Sequence, residues 1–286
     1  MAIHPTAIVN RHADIAPDVD IGPYCVIDEH VRISAGCRLY QNVYLTGWTN
    51  IEENCVLHPN VIVGHEPQDV KYKGARSYCR VGRRTILREN VTIHRGTVPD
   101  STTSVGEQGF LLAGSHVGHN CRVGDQVTLI NNVLLAGHVQ VGDRATLGGM
   151  AGVHQFVRIG ELCMIPGCAR VIQDVPPFAM TDTQGRIAGL NRIGLRRAGL
   201  TPEDIVAIRE IYRRLYAVPA RFTSSLERLS SERHAGPCAR LVDFLTADSR
   251  RGIAGRSRRP DRPGADADRL PAVDDPRRSA EPHGQP

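Results

Sequence analysis

The sequence predicts a mainly β protein, a parallel β-helix followed by a small α-helical domain. The first observation behind this prediction is a period of six: every sixth residue from Val9 to Val171 is Val, Ile or Leu, except at Asp69, Ala75 and Pro99. Such a period, held for about 160 residues, fits neither an amphipathic helix nor an ordinary hairpin sheet. It is typical of a coil in which each hexad forms one short strand and one corner, and three hexads complete one turn.

The second observation is a column of small residues two positions before each large aliphatic residue. Because side chains alternate along a strand, this column also faces inward. Chain-wide there is no C-x-x-C pair, so we interpret the cysteines in this column as small buried thiols rather than disulfides or zinc ligands. Six of the eight cysteines belong to it: Cys25, Cys37, Cys55, Cys79, Cys121 and Cys163.

Two segments interrupt the coils, near residues 64–78 and 97–104. Both lack the inward pattern and carry Pro, Asp and Ser. In a solenoid, insertions become loops that project from one face, often the binding face. The coil domain is expected to span residues 1–178, with the proline pair at 176 and 177 ending it.

The third observation is a helical pattern after the coils, which predicts a helical domain at residues 179–251. Thr201, Pro202 and two acidic residues after them form a helix start. The remaining expected segments are short helices within 223–233 and 239–249 and an Arg-, Pro- and Asp-rich tail, 252–286, with the composition of a disordered segment.

Charge and hydropathy narrow the class of protein. The formal net charge is +5, and residues 250–286 account for most of it, with nine Arg against six Asp and Glu. The nearly balanced remainder argues against a nucleic-acid binder. The N-terminal residues do not resemble a secretory signal, and no apolar run approaches the roughly 18 residues that cross a bilayer. We therefore expect a cytoplasmic protein without an integral membrane segment.

The histidines of the coil region fall outside both inward columns. Since one coil has 18 residues, His119 is expected to stack on Gly137, and Gly137 on Gln155. His119, His138 and His154 then line one edge on three successive coils, and His116 lies three residues upstream. This arrangement predicts a polar cleft rather than scattered surface histidines.

The residue types in this cleft favour acid–base chemistry. An imidazole suits removal of a proton from a hydroxyl at neutral pH, and the backbone N–H of Gly137 could stabilise an oxyanion during acyl transfer. Two alternatives stay open at this point. Three imidazoles on adjacent coils could bind zinc, or the histidines could form a solvated surface on a non-catalytic scaffold, which would tolerate His119→Ala.

Several ordered motifs resemble those of the acyl-ACP:UDP-N-acetylglucosamine O-acyltransferases, which begin lipid A synthesis. The resemblance covers about residues 5–250. It implies a homotrimer of left-handed β-helices with active sites between subunits, acyl carrier protein and UDP-N-acetylglucosamine as partners, and no cofactor apart from the phosphopantetheine thioester of the carrier protein. The motifs are TIHRGT (92–97), QDVKY (68–72), HVGHNC (116–121), LLAGHV (134–139), GGMAGVHQF (148–156) and QDVPPF (173–178).

The resemblance also implies roles for individual residues. His119 matches the general base that deprotonates the glucosamine 3-hydroxyl for attack on an (R)-3-hydroxyacyl thioester, and Gly137 matches the oxyanion contact. Met164 and Gly167 match positions that limit the acyl-chain length. Matches to substrate-binding positions are Gln68, Asp69, Lys71, His94, His116, His138, His154, Gln155, Asn191, Arg196 and Arg197.

Two departures from the family pattern accompany these matches. Asn120 follows the candidate base where many members carry Asp, so the help of a carboxylate is expected to be missing. Where Lys-Arg-Arg is usual, the sequence reads Arg196, Arg197, Ala198. Either one nucleotide-binding arginine is lost or the pair is shifted by one residue.

Other enzymes of the same coil type are the alternatives. A sister family that N-acylates a glucosamine places a further domain before the coils, whereas the repeats here begin by Ala7. An acetyl-CoA-dependent hexapeptide acetyltransferase would not explain the QDVKY segment or the C-terminal helices, and a modified sugar with an amine acceptor stays open. A zinc-dependent β-helical carbonic anhydrase has a wider histidine spacing than His116 and His119.

Overall fold

The computed structural model describes residues 2–218 and 221–257. Its strands form three sheets, here called faces A, B and C, which the chain visits in turn. Face A contains Ala2–Ile3, Asp20–Ile21, Arg38–Leu39, Val56–Leu57, Ile86–Leu87, Phe110–Leu111, Thr128–Leu129, Thr146–Leu147, Met164–Ile165, Ala179–Thr181 and Ile187–Leu190. Face B contains Ile8–Val9, Val26–Ile27, Tyr44–Leu45, Ile62–His65, Thr92–His94, His116–Val117, Leu134–Leu135, Gly152–Val153 and Arg170–Val171. Face C contains Asp14–Ile15, Arg32–Ile33, Trp48–Ile51, Tyr78–Val81, Thr102–Val105, Arg122–Val123, Gln140–Val141 and Arg158–Ile159.

Parallel pairing between successive coils confirms the hexapeptide prediction. Strand residues pair with those 18 positions later, as Leu129 does with Leu147. Two steps are longer: Leu57 pairs with Leu87, and Ile93 pairs with Val117. The extra residues lie in the two interrupting segments, although the strands Ile62–His65 and Thr102–Val105 extend into the expected loops.

The interior of the coils contains the two predicted inward columns. The large aliphatic residues are buried from Ile21 onward, and the six cysteines of the small column are buried and free. The Cys121 thiol donates to the Ala136 carbonyl oxygen at 3.1 Å. Burial raises the pKa of Cys79, Cys121 and Cys163 to about 12, so these thiols are inert packing groups. The interpretation as buried core thiols is confirmed.

The corners place residues in the left-handed backbone region at regular intervals. We call the turn from face A to face B corner AB and the turn from face B to face C corner BC. Non-glycine residues with positive φ at corner BC are Asp100, Asn120, His138 and Phe156. Their counterparts at corner AB are Tyr24, Asn42, Asn60, Asn90, Asn132, Met150 and Cys168.

The coil continues slightly past its expected end. Ala179–Thr181 adds to face A, where Met180 pairs with Met164, and Ile187–Leu190 then turns back antiparallel to it. The hydroxyl of Tyr212 donates to the carbonyl oxygens of Pro176 and Pro177, at 3.1 and 2.7 Å. The prolines therefore form the last turn of the coil, and their carbonyl oxygens also bind the helical domain.

Four helices follow within the described residues. The last three overlap the helices that the sequence predicts from Thr201, within 223–233 and within 239–249, whereas the first, Arg192–Arg197, is not predicted. The Thr201 hydroxyl accepts a hydrogen bond from the Asp204 N–H, and the Asp204 carboxylate accepts one from the Thr201 N–H. This capping box confirms the expected helix start. Within the parts of the chain that the structure describes, no helix is both long and apolar enough to cross a membrane. The helices are α1 (Arg192–Arg197), α2 (Pro202–Tyr216), α3 (Phe222–Ser231) and α4 (Gly236–Thr246).

The first residues of the expected disordered tail, 252–257, differ from the prediction. Ile253 bridges to Asp174 and Arg256 to Ile187, and Ala254 is buried. Composition does not reveal such isolated bridges, because they need only a few apolar residues in a polar segment. The rest of the predicted tail, 258–286, lies outside the described residues.

Candidate active site

A cleft of about 750 Å³ opens on face B beside corner BC. Its floor is formed by backbone and aliphatic side chains of successive coils, among them Leu134, Gly152 and Val171. Its polar lining brings together six residues that the sequence predicts for the site: Gln68, His94, His116, His119, His154 and Gln155, with Gly137 between them.

His119 and Gly137 are in direct contact, as the stacking of coils predicts. A Cβ atom on residue 137 would overlap Cε1 and Nε2 of the His119 ring. Glycine at this position therefore gives the imidazole its space. Among the described residues the Gly137 N–H has no hydrogen-bond acceptor, so the residue that lies against the His119 ring carries a free donor. On the other side of the ring, Nδ1 of His119 lies 3.0 Å from Oδ1 of Asn120.

A stack of rings continues from His119 along corner BC. The His138 ring meets the His119 ring edge-on, with centroids 5.2 Å apart. Phe156 stacks on His138 at 4.6 Å, and the Arg250 guanidinium lies 4.7 Å above Phe156. The sequence reasoning missed Phe156 and Arg250 as neighbours of the site. The spacing of 18 residues from Asn120 to His138 to Phe156 could have revealed Phe156, but no local signal points to Arg250.

His94 and His116 form a second histidine contact at the edge of the cleft. Their rings meet at 4.9 Å, edge to face, and Nδ1 of His116 lies 2.7 Å from the Thr92 hydroxyl. His94 points outward from the coil, as predicted, but it is only 7% exposed. The alternative of a solvated surface histidine therefore does not fit His94, because the rings of His116 and His65 lie against its ring.

Burial keeps these neighbouring histidines neutral. Desolvation, and then the charges of His116, His65, His119 and Arg95, lower the pKa of His94 to about 4. Desolvation followed by His119 lowers the pKa of His116. The pKa of His138 is lowered by desolvation, His119 and Arg250, while Asp69 acts in the opposite direction. The cleft thus offers neutral imidazoles near neutral pH.

Of the residues predicted for the site in the inserted segment 64–78, only one lines the cleft. Gln68 lines the cleft. Asp69 influences His138 electrostatically, and its carboxylate accepts the Lys71 backbone N–H at 2.9 Å. Lys71 is exposed and does not line the cleft.

The other predicted site residues lie elsewhere on the chain. Asn191 caps α1, where its side chain accepts from the Gly194 N–H at 3.0 Å and donates to the Leu162 carbonyl oxygen at 2.9 Å. Arg196 and Arg197 are exposed in the last turn of that helix. Met164 lies on face A and Gly167 at corner AB. Within one chain, none of these five residues lines the cleft.

Metal binding was the main alternative for the histidines. In residues 2–218 and 221–257, no three His, Cys, Asp or Glu side chains are grouped so that they could hold a metal ion. The histidines contact one another in pairs, edge to face, rather than converging on one point.

Fold and cleft together define a class: hexapeptide-coil β-helices with a histidine-lined site on the coil surface. Residues 174–254 match the family model described as UDP N-acetylglucosamine O-acyltransferase, domain 2. Two relatives are each named acyl-[acyl-carrier-protein]–UDP-N-acetylglucosamine O-acyltransferase. The relative from Thermodesulfovibrio yellowstonii is 39% identical over 87% of this chain and 97% of its own length. The relative from Caulobacter vibrioides is 41% identical over 88% and 97%.

Solved structures agree with this match. LpxA from Acinetobacter baumannii is similar with a TM-score of 0.84 and 36% identity, covering 89% of this chain and all of that one. The UDP-N-acetylglucosamine acyltransferase of Francisella novicida has a TM-score of 0.86 and 35% identity, covering 90% and 95%. The chain belongs to the acyl-ACP–UDP-N-acetylglucosamine O-acyltransferase family and is an acyltransferase. The predicted fold, a left-handed parallel β-helix with a C-terminal helical domain, is confirmed.

Proposed function

We propose that this acyltransferase moves an (R)-3-hydroxyacyl group from acyl carrier protein to the 3-hydroxyl of UDP-N-acetylglucosamine, the first step of lipid A biosynthesis. The names of the relatives support both substrates. The observation that carries the proposal is the pairing of His119 with the free N–H of Gly137 in one cleft. This pairing provides a proton acceptor and an oxyanion donor on two residues that lie against each other in the cleft.

The reaction follows from these two groups. Nε2 of His119 removes the proton of the sugar hydroxyl while the oxygen attacks the thioester carbon. The Gly137 N–H donates to the oxyanion of the tetrahedral intermediate. The C–S bond then breaks, and the imidazolium returns its proton to the departing thiolate of the phosphopantetheine. Because His94, His116 and His138 have lowered pKa values, they stay neutral and do not repel the transient charge on His119. No cofactor is required by this scheme.

The proposal includes a homotrimer with sites between subunits, working in the cytoplasm. Outward side chains on face C are mainly charged or polar, as at Arg32, Arg80 and Arg122. Faces A and B instead present apolar groups, such as Phe110 on face A and Leu134, which is 53% exposed, on face B. Apolar faces of this kind favour burial against another copy.

Another copy would also bring the missing site residues to the cleft. Met164, Gly167 and the α1 residues Asn191, Arg196 and Arg197 lie away from His119 in their own chain. In a trimer, the same residues of a neighbour can approach this cleft. There Met164 and Gly167 would limit the acyl chain, and the arginines would bind the nucleotide.

Product analysis tests the proposed function. Purified protein is incubated with UDP-N-acetylglucosamine and a panel of (R)-3-hydroxyacyl-ACPs of different chain lengths, and the products are identified by mass spectrometry. We expect a monoacylated sugar nucleotide and free holo-ACP for at least one chain length. Parallel reactions with acetyl-CoA and with an amine-bearing sugar nucleotide test the two alternatives. Product in those reactions alone, or no product from folded trimer with any donor, would contradict the proposal.

A further inference from the structure

Asn120 replaces the carboxylate that the family pattern leads one to expect, and its surroundings give it a specific task. Its side-chain oxygen lies 3.0 Å from Nδ1 of His119. We infer that Asn120 is a positioning residue that fixes the tautomer of His119: its neutral amide oxygen accepts the Nδ1 proton and leaves the Nε2 lone pair facing the cleft. This inference rests on the proposed function, in which Nε2 is the base.

The orientation of the amide follows from Thr97. The Thr97 backbone N–H donates to Oδ1 of Asn120 at 3.1 Å, and the Thr97 hydroxyl donates to the same atom at 2.9 Å. An amide NH₂ cannot accept from a backbone N–H, so the oxygen must occupy this position. The atom facing Nδ1 of His119 is therefore an acceptor. Nδ1 must carry the ring proton, and Nε2 of the neutral ring is left unprotonated.

The backbone holds the amide in this place. Asn120 has φ of 59°, a conformation that asparagine tolerates better than most residues. Its own N–H donates to the Thr103 hydroxyl at 2.7 Å. Thr97 and Thr103 both belong to the inserted segment 97–104, so this insertion orients the amide from one side while corner BC orients it from the other. The Nδ1 atom of His119 is therefore within hydrogen-bond distance of its acceptor, Oδ1 of Asn120, without any rearrangement.

An amide and a carboxylate differ in charge at this position. Either group holds the Nδ1–H tautomer, but only a carboxylate also stabilises the imidazolium. With Asn120, the imidazolium that forms on His119 lacks the charge stabilisation that an aspartate would give it. The expected consequence is that Asn120→Asp keeps the tautomer and moves the acid limb of the pH–rate profile to higher pH.

The tautomer can be measured without turnover. In ¹⁵N-histidine-labelled protein, ring ¹⁵N shifts, assigned with His119→Gln, are compared for wild type, Asn120→Ala, Asn120→Asp and Asn132→Ala. Asn132 is the matched control, because it has the same left-handed backbone at corner AB. We expect Nδ1–H in wild type, Asn120→Asp and Asn132→Ala, and a mixture of tautomers in Asn120→Ala. Circular dichroism establishes that each variant is folded.

Kinetics supply the second readout. We expect Asn120→Ala to lower kcat about 10- to 100-fold with little change in KM for UDP-N-acetylglucosamine, and Asn120→Asp to recover most of that loss with the shifted acid limb. An Nε2–H tautomer in wild type, or an Asn120→Ala protein with wild-type tautomer and kcat, would overturn the inference. If wild type shows Nδ1–H but transfers no acyl group, the proposed function fails while the tautomer assignment stands.

Discussion

Corners AB and BC share a backbone but differ in what their side chains do. At corner AB, the Asn132 N–H donates to the carbonyl oxygen of Ala113 at 2.9 Å; at corner BC, the His138 N–H donates to that of His119 at the same distance. Both Asn132 and His138 have φ near +60°. Side chains at corner AB serve the coil itself: the Asn60 amide donates to that of Asn90 at 3.2 Å. At corner BC, the equivalent side chains of Asn120 and His138 contact His119.

The site therefore needs no special backbone conformation. The coil supplies many equivalent corners, and chemistry arises where one of them carries a histidine, a glycine beside it and an oriented amide. Since the positive φ values and the backbone hydrogen bonds are alike at both corners, changes to the residues of corner BC that contact His119 should affect activity. Matched changes at Asn132 and Gly149 of corner AB should have little effect on it.

The largest expected contrast is between Gly137→Ala and Gly149→Ala. The two glycines occupy the same position in their hexads, one at each corner. A Cβ on residue 137 would overlap the His119 ring, whereas on residue 149 the nearest atom is the Asn131 carbonyl oxygen at 3.3 Å. We expect Gly137→Ala to lower kcat/KM about 100- to 1,000-fold because the base is displaced, and Gly149→Ala to change it only a few-fold.

Steady-state kinetics on both variants, with melting temperatures, would measure this contrast. Equal losses of activity in the two variants would mean that corner BC is not distinguished by its contact with His119. A large drop in melting temperature for Gly137→Ala alone would point to a structural defect instead.

A smaller contrast concerns stability against pH at His94 and His58. The His94 pKa is about 4 in the folded chain, against an ordinary value of 6.5. The unfolded chain therefore binds a proton as the pH falls below 6.5 while the folded chain does not, so the free energy of unfolding falls with the pH. The free energy of unfolding of wild type should fall between about pH 7 and about pH 5. We expect His94→Asn to make this fall smaller by about 1 to 2 kcal/mol. Urea unfolding at both pH values measures it.

His58 at corner AB is the control for this measurement. Burial and the Arg88 charge lower its pKa too, but Glu89 opposes them, and the ring is less buried than that of His94. His58→Asn should therefore reduce the pH dependence of the free energy of unfolding less than His94→Asn does. An unchanged slope in His94→Asn, or a greater change in His58→Asn, would contradict the account of a desolvated histidine beside the cleft.

The sequence predicted the parts of the molecule that the period of six controls. Inward packing, free core cysteines and the contact of His119 with Gly137 all follow from hexad and coil lengths. Features set by contacts distant in sequence escaped prediction: the cover over His94, the Arg250 guanidinium above Phe156, and the bridges of residues 252–257. The sequence predicts that replacing a carboxylate by Asn120 removes support from the imidazole, because it does not show that Thr97 orients the amide oxygen toward the ring.

The most direct test of the central claim is the rate of acyl transfer by His119→Ala, with His58→Ala as the control at corner AB. Removing a general base lowers the rate by about 100- to 10,000-fold. We expect a loss in that range for His119→Ala, with the melting temperature and oligomeric mass of wild type. For His58→Ala we expect a rate near that of wild type. Transfer by His119→Ala within about tenfold of wild type, or a loss of activity that accompanies loss of the assembly, would contradict it.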